Sequence, residues 1–331
     1  MSASRPTIVQ VLSMYHPEGE RILQTGAEVI RTEYVSSEQL CETVRETNPD
    51  ALLIRAPARI TKQVIDAAPA LRVLSGAGVG LDNIDVDYAS TRGIPVLHAP
   101  SVNQIATAEH AVMLIMAASK SLIPFHEAMR RGEFAARMTI PSSELRGKRV
   151  GLVGFGHIAQ ETAKMLRFGF SMEVTAWLRS PNEAKLATAH KLETKLTSDL
   201  SRLFTESDFV SLHIPLTQAT KAMIDRRYLH LMKPTAWLIN TARGGVVAEA
   251  DLIEALRSRR LAGAAIDCFE PEPPPADHPL LSLDNVILTP HVGGITQESN
   301  YVMATTVARN LLRVLSGERV DTIGNPQVWQ S

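Results

Sequence analysis

A glycine-bearing turn in the middle of the chain constrains the fold most. An apolar run from Val150 leads into the pattern G-x-G-x-x-A, whose fixed positions are Gly154, Gly156 and Ala159. A helical pattern over residues 158–168 follows. Gly154 permits a tight turn, and Gly156, which lacks a Cβ atom, lets an anionic group approach the backbone at the helix N-terminus. This strand–turn–helix order predicts the first unit of a nucleotide-binding βαβ fold.

The strand that should follow, residues 173–177, ends without a carboxylate. In folds of this kind an acidic residue at this point accepts hydrogen bonds from a free ribose 2′-hydroxyl and repels a 2′-phosphate. This chain has Leu178, Arg179 and Ser180 instead. The sequence therefore predicts NADP as the cofactor and leaves NAD open. A second glycine-rich segment, residues 76–80, has the wrong spacing for the same pattern but can still present backbone N–H groups to a ligand.

Composition predicts a globular protein long enough for two domains, with 331 residues, 45% hydrophobic and 21% charged. A formal net charge of −1 gives no electrostatic reason to expect nucleic acid or an anionic membrane as a partner. We find no apolar segment of membrane-spanning length and no signal-peptide pattern in the first residues, and we expect a cytoplasmic location. The two cysteines, Cys41 and Cys268, make no disulfide framework. No cluster of histidine, cysteine and aspartate has metal-ligand spacing, so no metal is predicted.

Strand-like and helix-like segments alternate in two series, which predicts parallel sheets with helices on both faces. Because the nucleotide-binding unit lies mid-chain, we expect an α/β protein of two doubly wound lobes. A Rossmann-type dinucleotide-binding lobe, residues 101–297, is inserted into a flavodoxin-like substrate lobe made of residues 1–100 and 298–331. The predicted strands are 8–12, 51–54, 72–74, 94–97, one from 150, 173–177, 209–212, 236–240, 264–267 and 286–288. The predicted helices include 37–46, 61–67, 106–131 and 297–315.

Chemistry-bearing residues follow three strands of the second series. Arg243, Glu272 and His291 each come after the end of one strand, and the carboxyl ends of parallel strands share one edge of a sheet. Reduction of a 2-oxo acid needs a cation for the carboxylate, a proton donor for the nascent alkoxide and a carboxylate to orient that donor. The three residues fit these roles as Arg243, His291 and Glu272. Each alone has a structural alternative, but the three together favour the active site. Asp267, at a strand terminus, is placed for the nicotinamide carboxamide.

The remaining histidines carry less chemistry. His213 follows the strand 209–212 and suits a cofactor groove and a structural role equally well. We expect His110, on the long apolar helix, and His278, in a proline-flanked loop, to be structural. The sequence contains neither a G-x-S-x-G elbow nor a Walker loop.

Together these segments resemble the D-isomer-specific 2-hydroxyacid dehydrogenase family. The resemblance covers nearly the whole chain. The motifs that carry it are Gly78-Val-Gly-Leu-Asp-Asn-Ile-Asp85, Ala108-Glu-His110, Leu145-Arg-Gly-Lys148, the glycine-rich turn, Ser211-Leu-His-Ile-Pro-Leu-Thr217, Asn240-Thr-Ala-Arg-Gly244, Asp267-Cys-Phe-Glu-Pro-Glu-Pro273 and Thr289-Pro-His-Val-Gly293. The resemblance implies Arg243 as the substrate anchor, Glu272 and His291 as the acid–base pair, and Asp267 at the nicotinamide.

The same resemblance implies further contacts and an assembly. Backbone amides of Val79 and Gly80 should help to hold the substrate carboxylate, and the protein should be a homodimer paired through its nucleotide-binding lobes. The predicted cofactor contacts are Thr107, Gly154, Phe155, Gly156, His157, Ile158, Arg179, Ser180, His213, Pro215, Thr241 and Asp267.

The chain departs from the family pattern at several points. Ala159 replaces a third glycine and Ala248 an aspartate, while Arg179 and Ser180 are similar to the NADP-using glyoxylate/hydroxypyruvate reductases. We also expect no C-terminal regulatory domain of the kind that some serine-pathway members carry.

The sequence therefore predicts an NAD(P)-dependent dehydrogenase that reduces a small 2-oxo acid, such as glyoxylate or hydroxypyruvate, to a D-2-hydroxy acid and prefers NADPH. One alternative is an NAD-linked dehydrogenase that works oxidatively on a larger hydroxy acid or on phosphite. An alternative of another class is a nucleotide-sensing, corepressor-like binding protein without turnover. The specificity pocket is expected near Arg55, Leu81, Val102 and residues 134–138.

Overall fold

The computed structural model describes residues 5–34 and 36–330, so the terminal residues 1 and 331 of the predicted lobes lie outside the described part. The chain divides into two compact units. Unit 1 consists of Met1–Asn103 and Ile295–Ser331, and unit 2 of Gln104–Gly294. Each unit is built on one parallel sheet. The predicted α/β class with two parallel-sheet lobes is thereby confirmed.

Unit 1 has a five-stranded parallel sheet with the order β2-β1-β3-β4-β5, which is the flavodoxin-like order. Its strands are β1 (Thr7–Val11), β2 (Glu28–Thr32), β3 (Ala51–Ile54), β4 (Val73–Gly76) and β5 (Val96–Leu97). Its helices are α1 (Pro17–Gly26), α2 (Ser37–Thr47), α3 (Lys62–Asp66), α4 (Val86–Thr91) and a C-terminal helix (Gln297–Leu315). The C-terminal helix begins at a capping box, in which Ser299 N donates to Thr296 Oγ1 at 3.1 Å and Thr296 N donates to Ser299 Oγ at 2.9 Å.

Unit 2 has a seven-stranded parallel sheet with the order β12-β11-β10-β9-β6-β7-β8. Its strands are β6 (Arg149–Val153), β7 (Glu173–Trp177), β8 (Lys195–Thr197), β9 (Phe209–Leu212), β10 (Trp237–Asn240), β11 (Gly263–Ile266) and β12 (Val286–Leu288). Its helices are α5 (Gln104–Ser119), α6 (Leu122–Arg130), α7 (His157–Lys164), α8 (Glu183–Lys191), α9 (Leu200–Glu206), α10 (Arg226–Leu229) and α11 (Glu249–Arg257). Strands β6 to β8 are added toward one edge of the sheet and β9 to β12 toward the other, so the strand order reverses between β6 and β9. Ligands bind at such a switch point.

The central strands of unit 2 are buried on both faces. Leu238 and Ile239 of β10 and Ala264 and Ala265 of β11 have no solvent exposure. One side of the sheet packs against α9 and α11 and the other against α5 and α7. This burial explains why these strands are unbroken apolar runs in the sequence.

Several predicted elements, such as the strand at 94–97, begin or end one or two residues away from the observed ones. Beyond these shifts, the structure differs from the predicted elements at three places. The pattern at 106–131 is two helices, α5 and α6, because Ser121 has a left-handed φ of 50° and its Oγ donates to the Pro141 carbonyl at 2.6 Å. The strands β2 and β8 were not predicted, since both are short edge strands without an apolar run. The helix at 158–168 is α7 followed by a wider π turn, Met165–Gly169. None of the described helices combines the length and the apolarity that a membrane span requires.

Candidate active site

Arg243 is held in a fixed turn directly after β10. The side chain of Asn240 fastens this turn, because its Oδ1 accepts from Ala242 N at 3.1 Å and its Nδ2 donates to the Arg243 carbonyl at 2.9 Å. The guanidinium donates to the Ala242 carbonyl at 2.7 Å. A Cβ atom on Gly244 would collide with the carbonyl group of Phe269. The glycine therefore lets the loop after β11 lie directly against the arginine turn.

His291 and Glu272 form a hydrogen-bonded pair across the loops that follow β12 and β11. His291 Nδ1 donates to Glu272 Oε2 at 2.7 Å. The other oxygen of Glu272 accepts from Phe269 N at 2.9 Å, which fixes the carboxylate within its own loop. His291 has a left-handed φ of 54°, and its backbone N donates to the Asp267 carbonyl at 2.8 Å. The left-handed backbone at His291 belongs to the turn that places its imidazole against the carboxylate of Glu272.

The pair has shifted pKa values that make it an ion pair at neutral pH. Hydrogen bonds to Cys268 and to Glu272 raise the pKa of His291 to about 10, against the opposing effect of burial. Burial alone would raise the pKa of Glu272, but the hydrogen bonds from His291 and from the Phe269 amide, with the charges of His291 and Arg243, lower it. Burial raises the pKa of the Cys268 thiol, which favours its neutral form. The imidazolium is therefore a proton donor whose charge Glu272 stabilises.

Asp267 is buried and ties the His291 loop to the sheet. Its carboxylate accepts from Thr289 Oγ1 at 2.6 Å and from the backbone amides of Val292 and Gly293 at 2.9 and 3.0 Å. Burial would raise the pKa of Asp267, but the hydrogen bonds from His110, Thr289 and the two amides lower it to about 2. The carboxylate is thus ionised, and it positions the segment that carries the histidine.

His110 belongs to this network, although we expected a structural role from the sequence alone. Its Nε2 lies 3.1 Å from Thr289 Oγ1 and 3.4 Å from Asp267 Oδ1. Since Thr289 donates to Asp267, its hydroxyl accepts from the His110 N–H. The motif Ala108-Glu-His110 was the only signal for this contact, because the direction of the side chain depends on how α5 packs against the sheet.

The glycine-rich turn between β6 and α7 leaves room for a ligand. Gly154 has a left-handed φ of 107°, and a Cβ atom there would lie 2.6 Å from the His213 carbonyl oxygen. Gly156 is exposed, and a Cβ atom there would meet no other atom within 4 Å. Lys185 Nζ donates to the carbonyl of the buried Phe155 at 2.8 Å, which holds the turn from the α8 side. His157 and Ile158 begin α7, so their backbone N–H groups face this open side.

Further predicted cofactor residues lie at strand ends of the same sheet. Thr241, after β10, is buried, and its Oγ1 has no hydrogen-bond partner among the described residues. His213, after β9, lies 2.9 Å from Ser211 Oγ through Nε2, and burial lowers its pKa to about 4. An unpaired buried hydroxyl and an open glycine turn suit a bound dinucleotide, which would supply the missing partners.

The other predicted cofactor residues are on the surface or on α5. Pro215 is exposed after β9, and Thr107 is buried in α5. Arg179 and Ser180 are exposed beyond β7, and within residues 5–34 and 36–330 no hydrogen bond or ion pair occupies the Arg179 guanidinium.

The residues predicted to bind substrate through their backbone lie in unit 1. Val79 and Gly80 follow β4 and are half-buried. His98 Nδ1 donates to the Val79 carbonyl at 2.9 Å. Arg55 follows the neighbouring strand β3, and its guanidinium carbon lies 5.0 Å from the ring centroid of Tyr15. These groups share the carboxyl edge of the unit 1 sheet.

Comparison with known proteins agrees with this geometry. Residues 112–293 match the sequence profile described as D-isomer specific 2-hydroxyacid dehydrogenase, NAD binding domain. The chain belongs to the D-isomer-specific 2-hydroxyacid dehydrogenase family. The predicted family and the predicted class of NAD(P)-dependent dehydrogenase or reductase are therefore confirmed.

Three relatives in this family illustrate its range. A D-3-phosphoglycerate dehydrogenase of Methanocaldococcus jannaschii is 37% identical over 96% of this chain, which spans 59% of that relative. A glyoxylate reductase of Thermofilum pendens is 40% identical over 88% of this chain and 86% of its own length. The crystal structure of Rhodotorula graminis D-mandelate dehydrogenase has a TM-score of 0.88 and 26% identity, over 97% of this chain and 98% of that one. At the level of the family, the chemistry is nicotinamide-dependent interconversion of 2-oxo and 2-hydroxy acids.

Proposed function

We propose that this chain reduces a small 2-oxo acid, such as glyoxylate or hydroxypyruvate, to the D-2-hydroxy acid and prefers NADPH. One observation carries the proposal: His291 Nδ1 donates to Glu272 Oε2 at 2.7 Å, and the charge of Arg243 lowers the pKa of the same carboxylate. A cation, a proton donor and an orienting carboxylate thus share the carboxyl edge of one sheet. The similarity to a glyoxylate reductase supports the choice of a small acid.

Each member of this set has a distinct task. A bound nicotinamide supplies the hydride. Arg243 holds the substrate carboxylate and polarises the ketone with paired guanidinium donors, assisted by the backbone amides of Val79 and Gly80. His291 donates its Nε2 proton to the oxygen of the ketone as charge develops there. Glu272 keeps Nδ1 protonated, so that the neutral ring left behind has its free nitrogen toward the product.

The cofactor would lie along the carboxyl edge of the unit 2 sheet. The turn from Gly154 to Ile158 would hold the pyrophosphate, and Arg179 with Ser180 the 2′-phosphate. Near the nicotinamide we place Asp267, in addition to its contacts with the loop 289–293. The remaining contacts in this proposal are Thr107, His213, Pro215 and Thr241. We accordingly assign dinucleotide binding to residues 101–297 and substrate binding to residues 1–100 and 298–331.

The same proposal includes a homodimer and a cytoplasmic location. Large apolar side chains are exposed on α5, α6 and the segments 134–138 and 165–169 of unit 2, which we together call the apolar stretch and which a second copy of the chain would cover. They are Ile105, Met113, Leu122, Ile123, Met129, Phe134, Met138 and Phe168. The two cysteines, Cys41 and Cys268, are buried free thiols, as is usual in a reducing compartment.

A turnover panel tests the proposed function. Oxidation of NADPH by the purified protein is measured with glyoxylate, hydroxypyruvate, pyruvate and 3-phosphohydroxypyruvate, and then with NADH in place of NADPH. We expect the highest kcat/KM with glyoxylate and hydroxypyruvate and with NADPH, and the product from hydroxypyruvate should have the D configuration. His291→Ala should lower kcat by about 10²- to 10⁴-fold and leave the NADPH dissociation constant unchanged. No turnover with any acid and either cofactor would instead favour a nucleotide-sensing binding protein.

A second candidate is an NAD-linked dehydrogenase that oxidises a hydroxy acid with a second anionic group. Arg55 supports this candidate, since it stands beside the segment of Val79 and Gly80 at the carboxyl edge of the unit 1 sheet. A guanidinium there suits a distal phosphate or carboxylate, and one relative is named a D-3-phosphoglycerate dehydrogenase. In the panel, a preference for 3-phosphohydroxypyruvate that is lost in Arg55→Ala would establish this candidate over the first.

A further inference from the structure

Cys268 is a third neighbour of the acid–base pair, and no step of the proposed reaction involves it directly. Cys268 lies directly after Asp267, and its thiol is buried. The thiol donates a long hydrogen bond of 3.5 Å to the Ala242 carbonyl and also interacts with His291. One ligand atom each from Cys268, Glu272 and His291 lies within 4.8 Å of the other two. This cluster escapes sequence rules for metal sites because its residues come from two loops that meet only in the fold.

The distances suit a small cation. Bonds of about 2.3 Å to sulfur and about 2.0–2.2 Å to nitrogen and oxygen place tetrahedral ligands roughly 3.3–3.7 Å apart. Shifts of about 1 Å in the side chains would bring this cluster to that spacing. The side chains of His291 and Glu272 are 43% and 35% exposed, so two of the three ligands are open to solvent, while the thiol lies buried behind them. Thiolate and imidazole together select zinc-like ions over magnesium or calcium.

We propose that Cys268, Glu272 and His291 form a binding site for a thiophilic divalent cation such as Zn²⁺, and that the bound ion inhibits the enzyme. Three bonds form, from the ion to sulfur, nitrogen and oxygen. The thiol and the imidazolium each release one proton to the solvent, and no atom changes its oxidation state. The binding is independent of the proposed reaction, whereas the inhibition rests on it, since a neutral, metal-bound imidazole is no longer the imidazolium that donates the proton.

Cobalt(II) gives a direct readout of the site, because a thiolate–cobalt bond has its own charge-transfer absorption. The full-length protein is titrated with CoCl₂ in a buffer that does not bind metals, and ZnCl₂ is then added as the competitor. We expect one cobalt ion per chain with a thiolate band that zinc removes. Cys268→Ala should abolish the band, whereas Cys41→Ala, which removes the other buried thiol, should leave it intact. If the wild type has no such band, or if the band survives in Cys268→Ala, the proposal is wrong.

Two additions keep the test decisive. Should circular dichroism show that Cys268→Ala is unfolded, Cys268→Ser is measured in its place, with His291→Ala as a second ligand variant that should also lose the band. Inhibition is measured against the uninhibited rate of each variant, and loss of Cys268 should raise the half-inhibiting zinc concentration about 10- to 100-fold. An intact cobalt band in a protein without turnover would refute the proposed function alone. Turnover without a band would refute the metal site alone.

Discussion

His291 donates the proton that completes the proposed reduction, and its neighbours stabilise the protonated imidazole. The value of kcat/KM should therefore depend on pH. Reduction requires the protonated imidazole, so kcat/KM should be constant through neutral pH and should fall as the pH rises through the raised pKa of about 10. Glu272→Gln removes a charge that stabilises the imidazolium, so the alkaline limb should move to lower pH. The measurement is kcat/KM for glyoxylate against pH in both proteins.

Another His–Glu pair in unit 2 supplies the control for this profile. His278 Nε2 lies 3.0 Å from Glu249 Oε1, and Glu249→Gln breaks that pair without touching His291. The Glu249→Gln control should have its alkaline fall in kcat/KM at the same pH as the wild type. If kcat/KM falls at that same pH in Glu272→Gln as well, the role of Glu272 is contradicted.

Cofactor choice is also decided at single residues, beyond the end of β7. Arg179 is exposed, so a 2′-phosphate can pair with it. Arg179→Ala should raise the NADPH dissociation constant about 10- to 100-fold, as expected for a lost charge-assisted hydrogen bond, and should leave the NADH constant nearly unchanged. Fluorescence titration with both nucleotides measures this. Arg257→Ala, at the exposed end of α11, is the matched control and should change neither dissociation constant. If Arg179→Ala weakens the binding of NADPH and NADH equally, the 2′-phosphate contact is excluded.

At the scale of elements, a substitution in the glycine-rich turn should change cofactor binding without changing the stability of the fold. Gly156→Ala adds a methyl group that meets no protein atom within 4 Å, so the melting temperature should change little. The same methyl group would occupy the space through which the pyrophosphate approaches the backbone, so the NADPH dissociation constant should rise at least tenfold. Gly169→Ala, which also adds a methyl group in open space, should change neither quantity. Calorimetry of unfolding and of binding measures the two effects, and unchanged NADPH affinity in Gly156→Ala would place the pyrophosphate elsewhere.

The strands and helices also show which parts of the fold could be predicted from the sequence. Strands β9 and β3 were predicted to the residue, because a strand buried on both faces is a run of mostly apolar residues. Strand β7 was also predicted to the residue, although its Glu173 is exposed, because buried and less buried positions alternate along it. The polar edge strand β8 has no such signature. The break at Ser121 had one that the continuous apolar pattern concealed, because Pro124 lies in the first turn of α6. The acid–base set was predictable because strand ends of one parallel sheet converge.

The contacts of His110 and Cys268 were not predictable in the same way. They depend on side-chain directions and on the meeting of two loops, which only the packed fold determines. Residue type and spacing along the chain therefore identify the edge of the sheet where the acid–base residues lie. The packing of the fold decides which further side chains contact those residues.

At the scale of the whole molecule, the exposed apolar side chains of unit 2 determine the expected assembly. Met113 and Phe168 line an apolar groove of about 530 Å³ between α5 and the π turn after α7. If a second copy covers this groove, light scattering after gel filtration should give twice the 36.2 kDa of one chain. The double variant Met113→Glu/Phe168→Glu should be monomeric, because a carboxylate buried without a partner costs several kcal/mol.

The matched control for the dimer is Leu186→Glu on α8. Leu186 is 52% exposed, comparable with 43% for Met113 and 55% for Phe168, but it lies outside the apolar stretch. The control should keep the dimer mass, since the same added charge stays in solvent. If the wild type has the mass of one chain at micromolar concentration, the apolar stretch is not an interface between copies. The variants should change the mass and leave the melting temperature of unit 2 nearly unchanged, because Met113, Phe168 and Leu186 are exposed in the single chain.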